Sequence, residues 1–200
     1  MEHLNLLWFA DINAGAYLHG YQLWLSIFIA KYLIIFIFMA LAAMWLWGTS
    51  EHRNTLLWAF CAVLIASGLS WLIGHFWYHP RPFVMGIGHT YLNHAPDSSF
   101  PSDHTTVLCT ISFVFLWREA VKSIVGSLLL ISTACIAWAR IYVGVHFPFD
   151  IIGAVFVALV ATASAMYLSP YIQRYLVPIN EFIYKALGKA PKVIAGLQKR

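Results

Sequence analysis

The apolar positions of this chain fall into long, nearly unbroken runs, without the polar face that a soluble helix or strand keeps. The first run extends from about Tyr21 to Trp47 and is broken only by Lys31. Others follow from about Thr55 to Trp77, Ser102 to Trp117, Ser123 to Ile141 and Phe149 to Leu168. Such runs predict helices that cross a membrane, each needing about 20 apolar residues. The third is short. Its roughly 16 residues reach about 24 Å, against a hydrocarbon core of about 30 Å. Either it continues through Val121, or its polar start lies below the membrane surface. A recessed start would serve a substrate whose tail stays in lipid.

Ahead of these runs, Leu4, Leu6, Leu7, Trp8 and Phe9 predict a short helix lying at the interface, ended by Asn13-Ala14-Gly15. Residues 1–20 carry Glu2 and Asp11 but no Lys or Arg, and no small-residue cleavage pattern, which argues against a cleavable signal peptide. Beyond the fifth run, Ser169-Pro170 stops the helix, and residues 169–200 form a Lys-rich, amphipathic tail suited to anionic lipid. The prediction is a single all-α integral membrane domain over 1–200. It comprises an interfacial helix (1–20), a bundle of about five transmembrane helices (21–168) and a basic tail.

Composition agrees. At 61% hydrophobic and 10% charged, the chain is far from a soluble domain, in which roughly a quarter of residues are charged. Cys61, Cys109 and Cys135 lie inside apolar runs and read as packing residues, with no disulfide or zinc spacing. Nine of the 12 Lys and Arg (Arg53, Arg118, Lys122 and the six from Arg174 onward) fall in loops of one side and the tail. That side is expected to be the cytoplasm, which places the N-terminus and the loops 78–103 and 142–148 on the extracytoplasmic face.

Those two loops hold the candidate chemistry. The stretch from Arg140 to Asp150 places an Arg, a His and an Asp at a membrane edge, where ionisable groups are costly and mark function. His146 and Asp150 are four apart, so a helix starting after Pro148 brings them to one face. An Asp beside a His fixes its tautomer and raises its basicity, as a nucleophile or general base requires. Arg140 adds a planar fork suited to phosphate. The plainer reading is a capped helix start with a solvated Arg. Arg81-Pro82 and Pro101-Ser102-Asp103-His104 on the same face tip the balance. Ser102 reads as an N-cap whose helix start can hold an anion, and His104 in the first turn can protonate a leaving group. Together these groups suit a phosphoryl group passed to a histidine. With Asp97, Asp103 and Asp150 the only nearby acids, a metal-independent reaction without a cofactor is expected.

The order Arg-Pro, Pro-Ser-x-His, then Arg-x5-His-x3-Asp resembles the type 2 phosphatidic acid phosphatase (PAP2) superfamily. Arg-Pro-Phe at 81–83, Ser-Phe-Pro-Ser-Asp-His at 99–104, the N-terminal Leu-Leu-Trp-Phe-Ala-Asp-Ile-Asn and Ala-Lys-Tyr-Leu around Lys31 look closest to its bacitracin-resistance type of undecaprenyl-diphosphate phosphatase. The resemblance implies that His146 becomes a phosphohistidine, Asp150 orients it, and His104 protonates the leaving group and later activates water. It also implies that Arg81, Ser102 and Arg140 hold phosphate oxygens. The implied partner is a polyprenyl diphosphate at the outer face of a bacterial plasma membrane, among membrane lipids and with no nucleic acid.

Two positions depart from the pattern: Gly74 stands where the superfamily usually has Lys, and Ala139 where Ser is common. His75 is one replacement, a packed histidine being the simpler reading. Lys31, about ten residues into the first run, is the other: it contacts the diphosphate or snorkels to the interface. Asp103 suits the first turn of a helix and can tune His104. His79, His89 and His94 read as solvated or structural, and Asp97 as capping or hydrogen-bonding within the loop. Rival functions are phosphatase action on another lipid, phosphotransfer to a lipid acceptor, and, from a different class, a non-catalytic lipid carrier or flippase.

Overall fold

The computed structural model describes residues 2–118 and 123–187, and all its regular elements in that range are helical. The helices are α1 (Glu2–Ile12), α2 (Gly20–Trp47), α3 (Ser50–Phe76), α4 (Asp103–Arg118), α5 (Ile124–Tyr142) and α6 (Pro148–Tyr167). A last helical stretch, α7, covers 169–187. Helices α2, α3, α5 and α6 are long and apolar enough to cross a membrane, so the protein is multi-pass.

The third apolar run forms α4, whose 16 described residues sit at the centre, packed against α3, α5 and α6. Its enclosure explains its composition. Thr105, Thr106, Thr110 and Ser112 are buried in protein, away from lipid. The Thr110 and Ser112 hydroxyls donate to the carbonyls four residues back, each at 2.7 Å. Its continuation through Val121 lies outside the described residues.

Helix α2 contains a π segment at Phe28–Tyr32, in which Lys31 sits. An extra residue per turn here aims the Ala30 carbonyl at the Arg140 guanidinium, 3.2 Å away. At the other end of the bundle, residues expected to lie as a tail on lipid are docked. Arg53 is buried, donates to the Gly48 carbonyl at 2.9 Å and lies 3.6 Å from a Glu181 oxygen, with its guanidinium 3.6 Å from the Tyr184 ring. Residues 188–200, with the remaining lysines of that tail, lie outside the described range.

Helix α1 is more than an interfacial anchor. The Phe9 ring meets Phe147 edge-on at 5.1 Å, and the Asn5 side chain accepts the Phe149 N–H at 3.0 Å. Asn13, expected only to end α1, links three segments: its amide donates to the carbonyls of His89 (3.0 Å) and Tyr142 (3.1 Å) and accepts the His89 N–H (2.7 Å). The α1 end, the loop 77–102 and the α5–α6 turn are thereby held together.

Candidate active site

The site forms where the α5–α6 turn meets the loop 77–102. Helix α5 ends at Tyr142, and the chain turns through Gly144 at φ +81°. A Cβ on Gly144 would lie 2.1 Å from the His89 carbonyl oxygen, so glycine is required for both conformation and space. Pro148 then opens α6, and Asp150 in its first turn accepts the Phe147 N–H at 2.7 Å. That helix start is what carries Asp150 toward His146, as the four-residue spacing predicts.

His146 and Asp150 are each only 1% exposed. His146 Nδ1 lies 3.3 Å from Asp150 Oδ2. The same carboxylate oxygen accepts the Ser99 hydroxyl, while Asp150 Oδ1 is buried without a hydrogen-bond partner. With Nδ1–H donated to Asp150, Nε2 carries the lone pair. Two arginines face it: Arg81 Nη1 at 3.2 Å and Arg140 Nη2 at 3.3 Å. Burial pushes His146 down to about 4, outweighing the hydrogen bond to Asp150 that acts upward, with Arg140 adding to the depression. The imidazole is therefore neutral, as a nucleophile must be.

Both guanidinium groups are fixed in place. Arg81 is held by the carbonyls of Val145 (2.9 Å) and Ser98 (3.3 Å) and by the Asp97 carboxylate at 2.8 Å. Arg140 donates to Ala30 and to His94 Nε2 (3.2 Å), and its Nε is buried without an acceptor. Two buried cationic forks around one lone pair form a site for a multiply charged, oxygen-rich anion.

Ser102 is fully buried beside α4, with its backbone N–H donating to the Asp150 carbonyl at 3.2 Å. Its hydroxyl lies 3.2 Å from the Thr105 hydroxyl, pairing with a side chain at the helix start. His104, in the first turn of α4, is half-buried and has no hydrogen-bond partner among the described residues. Asp103 is exposed and lines a polar cavity of about 330 Å³ with Asp97, Ser98, Ser70 and Gly74. Lys31 stands apart: it is exposed, and its ammonium lies 5.4 Å from the Tyr32 ring centroid. His75 stacks on Trp71 at 5.3 Å.

Three site residues escape a reading of the sequence. Ser99 reaches Asp150, and His94 and Asp97 reach the two arginines. Ser99 lay inside a quoted motif, but only the fold shows that its hydroxyl points to a carboxylate 51 positions later. Asp97 is read from sequence only as capping or hydrogen-bonding within its own loop, where its partner Arg81 also lies, whereas for His94 no local signal exists, its partner Arg140 being remote.

A model of the PAP2 superfamily matches residues 55–174, which include every site residue except Lys31. The chain belongs to that superfamily. It is 40% identical over 165 residues, 82% of each chain, to a protein of Escherichia coli named putative undecaprenyl-diphosphatase YbjG. It is 34% identical to undecaprenyl-diphosphatase BcrC of Bacillus subtilis, over 84% of this chain and 86% of that one. Among solved structures it resembles LpxE of Aquifex aeolicus, with a TM-score of 0.64 at 22% identity, covering 82% of this chain and 95% of that one. A PAP2-type phosphatidylglycerolphosphate phosphatase of Bacillus subtilis superposes with a TM-score of 0.56 at 18% identity, over 87% and 88% of the two chains. At those identities the two structures establish the shared fold. With four helices long and apolar enough to cross a membrane among its described residues, the chain is a multi-pass membrane member of that superfamily.

Proposed function

We propose that this membrane phosphatase hydrolyses undecaprenyl diphosphate to undecaprenyl phosphate and orthophosphate, through a phosphohistidine at His146. The observation that carries the reading is the neutral His146 Nε2 set between Arg81 at 3.2 Å and Arg140 at 3.3 Å, with Nδ1 on a buried Asp150. The names of relatives 34–40% identical over most of the chain support the substrate.

In the mechanism, the arginine N–H groups move from Nε2 to oxygens of the terminal phosphoryl group. The lone pair is then free to attack phosphorus in line with the bridging oxygen. The P–O bond to the leaving group breaks as the N–P bond forms, and His104 gives its proton to the departing undecaprenyl phosphate. Asp150 stabilises the imidazolium character that develops on His146. Water, deprotonated by His104, then attacks the phosphohistidine and releases orthophosphate. Ser102 contributes a hydroxyl to the phosphate cradle, and Asp103 acts on His104 through charge. Lys31 is assigned a contact to the substrate's diphosphate, reached by swinging off the Tyr32 ring. An unchanged KM in Lys31→Met overturns that assignment. The site faces the extracytoplasmic side of a bacterial plasma membrane, with the C-terminal helix cytoplasmic.

The test is orthophosphate release from undecaprenyl diphosphate in detergent with excess EDTA, wild type beside His146→Ala. Release by wild type alone supports the reading, with or without other lipids as slower substrates. Hydrolysis of phosphatidic acid without hydrolysis of the diphosphate moves the substrate to another lipid. Equal release by both proteins removes His146 from the chemistry.

A further inference from the structure

Asp97 and His94 lie at the mouth of the phosphate site and have no part in the mechanism above. Asp97 Oδ1 accepts Arg81 Nε at 2.8 Å, and the same oxygen lies 3.7 Å from His94 Nδ1. The Asp97 side chain is 58% exposed, whereas Arg81 is 2% exposed. Among the groups holding Arg81 in the described residues, Val145 and Ser98 contribute backbone carbonyls and His146 is the nucleophile. Asp97 is thus the one acceptor on Arg81 that is both anionic and placed to move. A carboxylate oxygen and a phosphate oxygen ask for the same donor with the same geometry.

His94 supplies the place to move to. Its Nδ1 is 3.1 Å from the adjacent Ala95 carbonyl, a bond that the nearby Asp97 oxygen can replace by a small rotation. Its Nε2 meanwhile accepts Arg140 Nη2 at 3.2 Å, so a fixed His94 also fixes Arg140. Burial first, and the two arginines after it, hold His94 below its ordinary value. It is therefore a neutral imidazole with Nδ1–H to offer and Nε2 as acceptor.

We infer that Asp97 and His94 are a partner-exchange pair that sets phosphate affinity: Asp97 leaves Arg81 Nε for His94 Nδ1 when a phosphoryl group binds, and returns to Arg81 to displace orthophosphate. The energetics allow both directions. An ion pair whose carboxylate is half in water is weakened by solvent, so a more highly charged phosphate displaces it readily. A tethered carboxylate still competes continuously with a product that has lost its lipid anchor. His94 and Asp97 are positioning residues in this scheme, acting through Arg140 and Arg81. The inference rests on the proposed phosphohistidine site.

Its test compares Asp97→Asn, His94→Ala and the double variant by steady-state kinetics and by orthophosphate inhibition. Asp97→Asn removes the competitor, so orthophosphate inhibits roughly two- to fivefold more strongly, and kcat falls where product release limits it. His94→Ala leaves Asp97 nowhere to go, so KM rises and orthophosphate inhibits more weakly. In the double variant the KM defect of His94→Ala is relieved, a non-additivity that a loss of packing does not produce. Weaker orthophosphate inhibition in Asp97→Asn, or additive effects in the double variant, overturns the exchange. Should wild type release no phosphate from any lipid diphosphate, the proposed function falls. Orthophosphate titration, read as protection of His146 from acylation by diethyl pyrocarbonate, then still decides the exchange by the same opposite signs.

Discussion

Deleting the Ser99 hydroxyl tests how Ser99 and Asp150 together hold His146, since that hydroxyl also lies 3.4 Å from His146 Nδ1. Ser99 is fully buried, and its hydroxyl donates to Asp150 Oδ2, the oxygen that also receives the Phe147 N–H at 2.7 Å and faces His146 Nδ1 at 3.3 Å. Ser99→Ala removes one of three donors from a carboxylate that is 1% exposed. A hydrogen bond to a charged group is worth about 1.5–3 kcal/mol. Expressed wholly in the transition state, that is roughly a 10- to 150-fold loss of kcat. The hydroxyl touches neither arginine, so KM for the diphosphate lipid stays within about twofold if binding and chemistry separate as argued. Phosphate release in detergent reads both parameters, and a thermal melt of the same sample reads how much of the loss went into folding. A kcat within twofold of wild type, with the melt unchanged, would refute the idea that Ser99 and Asp150 together aim His146. A raised KM at constant kcat would move Ser99 into binding.

Three further predictions follow from particular contacts. Gly144→Ala forces a Cβ against the His89 carbonyl at a positive φ and lowers stability by about 1–3 kcal/mol, with activity lost beyond that, read by melting and turnover. His146 binds protons more weakly folded, at about 4, than unfolded, near 6.5, so the unfolded state takes up more protons between those values. Its contribution to stability is complete above about pH 6.5 and is lost as pH falls toward 4, and His146→Gln should flatten that part of the melting-temperature profile. Arg53→Ala releases the contacts to Glu181 and Tyr184. Hydrogen exchange at Val177–Leu187 then speeds up, while kcat at the other end of the bundle stays within about twofold of wild type.

How far the sequence reaches can be seen residue by residue. The long helices were legible because lipid allows few polar positions, so their ends match the apolar runs to within a few residues, apart from the first turn of α3. Helix α4 was legible as a helix but not as the buried centre, because enclosure by α3, α5 and α6 relaxes the need for apolarity. The pairing of His146 with Asp150 follows from spacing and a proline, both local. Arg81 and Arg140 could be named as candidates for holding phosphate, but not their convergence on one nitrogen, which depends on the loop 77–102 folding over the α5–α6 turn. Ser99, His94 and Asp97 belong to that same loop, and a loop carries no periodicity from which to read its partners.

Arg81 and Arg140 are each 2% exposed, and among the described residues their carboxylate contacts are confined to the half-exposed Asp97 on Arg81. Asp150, the fully buried acid, is turned to His146 and the α6 start. The bundle thus folds around one buried cation, Arg140, that touches no carboxylate among the described residues, a costly arrangement when nothing offsets it. Lysines in these places could shed their protons to escape the cost; arginines cannot, so the charge persists until an anion arrives. Phosphate binding should therefore stabilise the folded chain by mass action, about 2.7 kcal/mol at a hundred times the dissociation constant. Orthophosphate or vanadate should raise the melting temperature of wild type in detergent, and Arg140→Met should abolish that rise while melting no lower than wild type without anion. If Arg140→Met instead melted well below wild type and still responded to anion, Arg140 would be holding the helices together through Ala30 and His94, with phosphate held elsewhere.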